Sequence, residues 1–467
     1  MVDAAPSASY SLAIRFRLPD RAGALAEFIR TVAECEGNVG EVLLVERAPA
    51  GVVRATTIDA ASARHAEQIV SALRAQPAVE LLAVSDRTFA LHRGGKIAVR
   101  NRHPLQTEAD LAMAYTPGVG RVCHAIAQDP GSVLELTIKG NAVAIATDGS
   151  AVLGLGNLGA EAALPVMEGK AMLFREFGGI DAFPLCLAQQ ETEALVETVR
   201  ALAPAFGGIN LEDISAPRCF AIERRLREAL DIPVFHDDQH GTAIVVLAAL
   251  QNALALTGKS LAEARIAING MGAAGVAIAR LLQQAGATDI WPCDSRGLIS
   301  QQRTDLDEFK QGVAVAHAGS LADALAGADV FIGVSAPDAL SPQMVGTMAR
   351  DPILLALANP VPEIRPEAVG EEVAVMATGR SDYPNQINNV LAFPGVFRGA
   401  LDCQAARVTP NMCLAAAGAI AALVPPGERH RNCVVPSVFD SRVAPAVAEA
   451  VRAAAHRDGV ARAAGDR

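Results

Sequence analysis

Two pairs of adjacent carboxylates are the residues of this chain whose types and spacing most directly suggest chemistry. Glu212 and Asp213 stand in GGINLEDIS, where an apolar strand ends, and Asp237 and Asp238 stand in IPVFHDDQHGTA, at the end of another. In α/β sheets the carboxyl ends of strands line the ligand crevice, so both pairs are expected there. Carboxylates crowded in a dry crevice repel one another unless a cation lies between them, and hard oxygen donors suit Mg²⁺ or Mn²⁺. The plainer reading, that each acid caps a following helix, fits one such pair better than two. His236 and His240 in the same stretch have a zinc spacing only if they share a continuous helix. Pro233 and Gly241 around them suggest a strand-to-helix loop, and zinc is not expected.

Two glycine turns come next. VLGLGNLG carries Gly154, Gly156 and Gly159; INGMGAAGVA carries Gly270, Gly272 and Gly275, with Met271, Ala273 and Ala274 completing the turn. A dinucleotide needs a strand before the turn, a helix after it, and an acid about 20 residues on. The second turn has ARIAI, then GVAIARLLQQAG, then Asp294 at the end of TDIWPCD. The first is followed by Pro165, and its nearest acid, Asp181, opens a strand rather than closing one. The cofactor is therefore expected at Gly270–Gly275, with its pyrophosphate on the helix N-terminus. The first turn is read as a tight active-site loop that presents Lys170. Asp294 favours NAD, since a carboxylate accepts from both ribose hydroxyls and repels a 2′-phosphate. Ser295 and Arg296 suit a 2′-phosphate, so NADP is the alternative, and the direction of Arg296 decides between them.

These groups are positioned by a chain of 467 residues, long enough for several domains. A net charge of −11 without a basic block argues against nucleic acid or an anionic membrane as partner. TAIVVLAALQNALALTG is interrupted by Gln251 and Asn252, and MCLAAAGAIAALVPP is too short to span a bilayer, so both are read as buried helices. The first residues lack an export signal, and the eight cysteines show no C-x-x-C spacing, which together suit the cytoplasm. Tyr10, Leu12, Ile14, Phe16 and Leu18 alternate on one strand face, and the order that follows is βαββαβ, a split ferredoxin-like unit. A boundary is expected near residue 92. Alternating strands and helices follow to about residue 396, then Ala-rich helices, with AAGDR frayed at the end.

AYTPGVGRVC, DGSAVLGLGNLG, VMEGKAMLF, NLEDIS, VFHDDQHGTA, ALANPVPEI and GRSDYPNQINNVLAFPG occur in that order and together resemble the short bacterial malic enzymes. PDRAGAL and GNVGEV near the start resemble the ACT domain, a regulatory module that pairs and binds a small effector. The resemblance implies an ACT-like domain over 1–92, a catalytic α/β domain over 93–240, and a Rossmann-type NAD-binding domain with C-terminal helices over 241–467. It implies metal-dependent oxidative decarboxylation of (S)-malate to pyruvate and CO₂ with reduction of NAD or NADP, decarboxylation of oxaloacetate, and a homodimer or higher homo-oligomer. Tyr115 would be the general acid and Lys170 the general base, its pKa lowered by the neighbouring cation. Glu212, Asp213 and Asp238 would ligate the metal and Asp237 support the lysine. Asn359, which also borders the cofactor, and Asn388 or Asn389 would hold the malate carboxylates. One departure stands out: larger malic enzymes place an Arg where this chain has Ala151, and Lys139 and Lys96 are candidates to replace it. Malolactic chemistry with recycled NAD is an alternative reading. So is an effector sensor with an inactive catalytic half, although no catalytic residue of the resemblance is missing.

Overall fold

The computed structural model describes residues 6–462, which fall into two compact units dividing between Val99 and Arg100. The closing AAGDR lies outside the described residues. In the first unit β1 (Ser7–Leu18), α1 (Ala24–Glu34), β2 (Asn38–Ala48), β3 (Gly51–Ala60), α2 (Ala63–Arg74) and β4 (Glu80–Asp86) follow in order, closed by α3 (Arg87–His92). The strands form one antiparallel sheet in the order β2-β3-β1-β4, the ferredoxin-like arrangement that βαββαβ suggests. Period-two alternation sets its core. Leu12, Ile14, Phe16 and Leu18 are buried with Phe28 and Val32 of α1 and Ile69 and Leu73 of α2. Tyr10, expected on the same face, is exposed instead, because the pairing register with β3 shifts between Ser7 and Ser11. A shift of that kind turns side chains out of step with the strand beyond it.

The second unit opens with α4 (Glu108–Ala114), α5 (Val119–Gln128) and α6 (Val133–Leu136), none of which buries a side chain. Then β5 (Ala142–Thr147), α7 (Ala160–Gly178), β6 (Asp181–Cys186), α8 (Thr192–Leu202), β7 (Gly208–Leu211), α9 (Arg218–Ala229) and β8 (Val234–His236) build a parallel sheet in the order β6-β5-β7-β8. Every residue of β5 is buried, as a central parallel strand covered on both faces requires. Pro165 does not interrupt α7 as the sequence suggested. Ala163, Met167, Lys170, Ala171 and Phe174 form its buried stripe, and that burial outweighs the one backbone bond proline cannot make. The HDDQH stretch also differs from the expected loop. It is a π-helical turn, Asp237–Gly241, running straight into α10 (Thr242–Thr257). Asp237–Thr257 is long and apolar enough to cross a membrane by length and composition, yet it is largely buried in the core. Gln251 and Asn252 do not break it: Asn252 Nδ2 donates to the carbonyls of Ala421 and Val434.

The chain continues with β9 (Arg265–Asn269), α11 (Ala273–Gln284), β10 (Asp289–Asp294), β11 (Gly297–Leu298), α12 (Glu308–Gln311), α13 (Leu321–Leu325), β12 (Val330–Gly333), α14 (Pro342–Val345), β13 (Ile353–Ala356) and β14 (Val375–Thr378). The sheet order is β11-β10-β9-β12-β13-β14, parallel except for the β10–β11 pair. Its topological switch point lies between β9 and β12, where doubly wound sheets bind their ligands. Three helices, α15 (Phe393–Asp402), α16 (Pro410–Ala422) and α17 (Val443–Arg457), complete the unit. Its larger core joins the two sheets and the C-terminal helices, and in it Phe174 of α7 packs on Phe393 and Phe397 of α15, with ring centroids 4.7 and 5.3 Å apart.

Candidate active site

β7 and β8 lie side by side, and their carboxyl ends deliver the two acidic pairs to one place. The Asp213 N–H donates to Asp238 Oδ2 at 2.8 Å. Asp213 itself has φ 52°, a left-handed conformation that a non-glycine residue adopts at a cost. The first glycine turn holds it there. Ala151 N–H donates to the Asp213 carbonyl at 2.9 Å and Leu153 N–H to Asp213 Oδ1 at 3.2 Å. The turn was expected to present Lys170; its own contacts are with Asp213, and Lys170 comes from the middle of α7.

Lys170 is buried between carboxylates. Its Nζ donates to Asp237 Oδ2, lies 2.8 Å from Glu212 Oε1, and stands 4.2 Å from the centre of the Phe393 ring. Burial alone pulls the ammonium down, but Asp237 and Glu212 outweigh it and hold the lysine protonated, above the usual range. Two carboxylates contact this lysine and two more, Asp213 and Asp238, stand beside them, so burial makes the surplus charge costly. Burial and the adjacent Asp238 push Asp213 up to about 7. Burial works against ionisation of Glu212 and Asp237 as well, and the charge of Lys170 beside them opposes it. Asp213 Oδ2 and Asp237 Oδ1 are buried without a hydrogen-bond partner among the described residues.

The remaining expected residues divide. Asn389 Nδ2 donates to Asp237 Oδ2 at 3.2 Å while its Oδ1 accepts from Thr242 Oγ1, so it sits beneath the cluster. Asn388 Oδ1 caps the Val390 N–H at 3.0 Å. Asn359 lies just beyond β13; a Cβ on Gly154 would come 3.9 Å from its carbonyl oxygen, so the first glycine turn and the β13 end border one crevice. Tyr115 does not join them. It is 68% exposed at the end of α4, and no hydrogen bond links it to Lys170 or the acids among the described residues. Of the candidates for the missing Arg, Lys139 does not fit, since its Nζ donates to the carbonyls of Ala203 and Pro204; Lys96 belongs to the first unit, where it meets His92. His236 is a buried strand residue kept neutral by burial, and His240 bonds Glu223 at 2.7 Å, so the two do not form a zinc pair.

Some functional residues escaped sequence reasoning. Asn210 Nδ2 donates to Glu212 Oε2 at 2.9 Å, and its place two residues earlier on the same strand was the available signal. Arg218 pairs with Asp148 at 2.7 Å and fixes the start of the first turn. At the second turn the glycines do what a dinucleotide fold needs. A Cβ on Gly270 would collide with the Val334 carbonyl at 2.4 Å, and one on Gly275 with the Gly270 carbonyl at 1.9 Å. Met271 is buried, and Ala273 and Ala274 begin α11. Asp294 ends β10 but is not free: Arg303 binds it through two nitrogens at 2.8 and 3.1 Å, Lys310 at 3.0 Å, and the Arg296 N–H at 2.9 Å. The Arg296 guanidinium turns along the loop to Asp305 at 2.8 Å.

The family described as malic enzyme, N-terminal domain matches residues 94–193 and 188–227, and the malic enzyme, NAD binding domain matches 239–456. The chain is 50% identical over 460 residues to an NAD-dependent malic enzyme of Geobacillus stearothermophilus, covering 97% of this chain and 96% of that protein. The chain belongs to the malic enzyme family. A bifunctional malic/malolactic enzyme of Bacillus subtilis is 52% identical over 390 residues, 82% of this chain and 95% of that one. Among solved structures, the malic enzyme of Pyrococcus horikoshii aligns with a TM-score of 0.77 at 46% identity, covering 81% of this chain and 92% of the other. The NAD-dependent malic enzyme of Thermotoga maritima aligns with a TM-score of 0.75 at 46% identity, covering 78% and 98%. These malic enzyme matches account for the α/β catalytic region and the Rossmann-type sheet together.

Proposed function

We propose that this malic enzyme oxidises (S)-malate at C2 and decarboxylates the resulting oxaloacetate to pyruvate, with NAD preferred over NADP. The observation that carries the reading is Lys170, buried between Glu212 and Asp237 in the same unit as the Gly270–Gly275 turn. Lys170, once uncharged, takes the C2 hydroxyl proton, and the family resemblance assigns Tyr115, exposed outside the cluster, the proton delivered to C3 after CO₂ leaves. Asp237 and Asn389 hold the lysine in place. Asn359 and Asn388 bind the malate carboxylates, since the Asn389 amide is committed to Asp237 and Thr242.

The donor set fits Mg²⁺ or Mn²⁺. It consists of hard oxygens, it carries more negative charge than Lys170 offsets, and Asp213 Oδ2 is buried without a partner. Glu212, Asp213 and Asp238 would hold the ion. Among the described residues no three such side chains stand as a finished ligand set, because Glu212 is turned to Lys170 and Asp238 to the Asp213 N–H. The ion supplies Lewis-acid stabilisation of an enolate oxygen. Drawing Glu212 away from Lys170 removes one of the two anions that keep the ammonium charged, which lowers its pKa toward that of a base.

The turn of Arg296 to Asp305 supports NAD, although Arg303 and Lys310 blunt the charge of Asp294. Comparing kcat/KM for NAD and NADP at saturating malate tests this; a higher value with NADP would overturn the preference. The name of the Bacillus subtilis relative favours malolactic turnover as a second reading, and lactate formed without net NADH would reveal it.

The ferredoxin-like first unit supports an ACT-like module that takes a small amino acid or related metabolite as effector. The exposed Leu111 and Met113 of α4, Tyr115 just after it and Val119 of α5 support a homodimer in which a second copy covers this face. All eight cysteines are free thiols, in keeping with a cytoplasmic enzyme.

A further inference from the structure

The Asp237–Gly241 turn has two sides. Asp237 and Asp238 serve the carboxylate cluster, while Gln239 and His240 line a cavity of about 170 Å³ that also borders α9, α11 and the start of α16. No residue of the proposed catalytic or cofactor set lines that cavity. Its walls are partly apolar, with Val276, Ala277 and Cys413 among them, and partly charged. Glu223 is the anion at the wall, satisfied by His240 at 2.7 Å with Arg227 at 4.0 Å. Arg280 is a second cation, and it pairs with no carboxylate among the described residues; its Nη2 donates only to the Phe309 carbonyl, at 3.3 Å. Gln239 is buried, and its Nε2 has no hydrogen-bond partner among the described residues. The wall thus offers two guanidiniums against one carboxylate, beside an apolar surface.

A dry cavity of about 150 Å³ accommodates benzene, so this one suits a molecule of roughly six to eight heavy atoms. We propose that it is a second ligand site, for a small aliphatic carboxylate whose anion pairs with Arg280 and Arg227 and whose chain lies against Val276, Ala277 and Cys413. Occupancy is transmitted to Asp237 and Asp238, because Gln239 and His240 belong to the same five-residue turn. The turn has no slack: a Cβ on Gly241 would fall 1.9 Å from Asp237 Oδ1. The coupling rests on the proposed roles of Asp237 and Asp238; the binding does not.

Equilibrium dialysis of labelled butyrate against the full-length chain tests the site, with Arg280→Gln separating it from the catalytic cleft, whose proposed residues do not line this cavity. Wild type is expected to bind one butyrate per chain, and Arg280→Gln to bind it about 10-fold more weakly, as loss of a charge-assisted hydrogen bond predicts. Ala277→Leu, which fills the cavity, should abolish the binding. If that variant does not fold, Arg280→Gln, altered at an exposed position, decides alone. Butyrate should change kcat at saturating malate in wild type, and in Arg280→Gln only at about 10-fold higher butyrate, while kcat without butyrate stays the same in both. Absence of saturable binding, or binding unchanged in Arg280→Gln, overturns the site. Binding that leaves kcat unmoved overturns the coupling.

Discussion

Lys170 is held charged by Asp237 and Glu212, so its service as a base depends on what happens to those two partners. Replacing it with Ala should lower malate oxidation by about 10²- to 10⁴-fold, the usual loss for a general base, while oxaloacetate decarboxylation survives in part. Both rates can be followed by pyruvate release; a variant that keeps most of its malate oxidation would remove Lys170 from the mechanism. Asp238→Asn exchanges an anionic oxygen for a neutral one and should shift the Mn²⁺ activation curve to higher metal, with activity partly restored at saturation. A metal titration superimposed on wild type would instead make Asp238 only the cap for the Asp213 N–H. The charged residues were legible in the sequence because strand ends carry ligands, and two acidic pairs at two strand ends are hard to explain otherwise. Their partners were less so. Whether Asn388 or Asn389 reaches Asp237 depends on a side-chain direction, and Arg218 meets Asp148 across 70 residues of chain.

At the scale of elements, the end of β10 decides cofactor choice. Asp294 is tied to Arg303 and Lys310, and removing its charge leaves two cations where an adenosine ribose would bind. Asp294→Asn should therefore raise kcat/KM for NADP relative to NAD, whereas Arg296→Ala, whose guanidinium is engaged with Asp305, should change NAD kinetics little. Burial opposes ionisation of Asp294, but the Arg303, Arg296 and Lys310 contacts bring its pKa down to about 2. Its contribution to stability is then complete above the ordinary aspartate value of about 3.9 and is lost as pH falls through about 2. The difference in urea midpoint between wild type and Asp294→Asn should narrow over that window; a constant difference would mean that the carboxylate charge is not what holds the loop. Elements were legible where periodicity was clean, as in β1 from Leu12 onward and in α11. They were misjudged where a local breaker met strong burial. Pro165 sits inside α7 because the stripe around Lys170 is buried, and HDDQH winds as a π turn because α10 behind it is buried on every side.

The chain divides into two compact units, and the proposed regulation and catalysis fall on either side of that division. The unit up to Val99 has its own core, so a chain beginning at Arg100 should fold, retain malate turnover and lose any response to amino-acid effectors seen in the full-length enzyme. Screening both forms with the same effectors checks this, and an identical response would place the effector site in the catalytic unit. The order of the motifs made the catalytic architecture readable from sequence, whereas nothing in a linear pattern could show that α4 and α5 bury no side chain or that Tyr115 stands exposed. On this reading the acidic cluster and Lys170 couple hydride transfer to loss of CO₂ with the help of a divalent ion. The most direct measurement follows NADH and pyruvate together from malate and NAD, with Mn²⁺ present and then removed by chelation. Equal amounts of the two products are expected, lost on chelation and restored by Mn²⁺. NADH formed without pyruvate, or turnover indifferent to the metal, would contradict it.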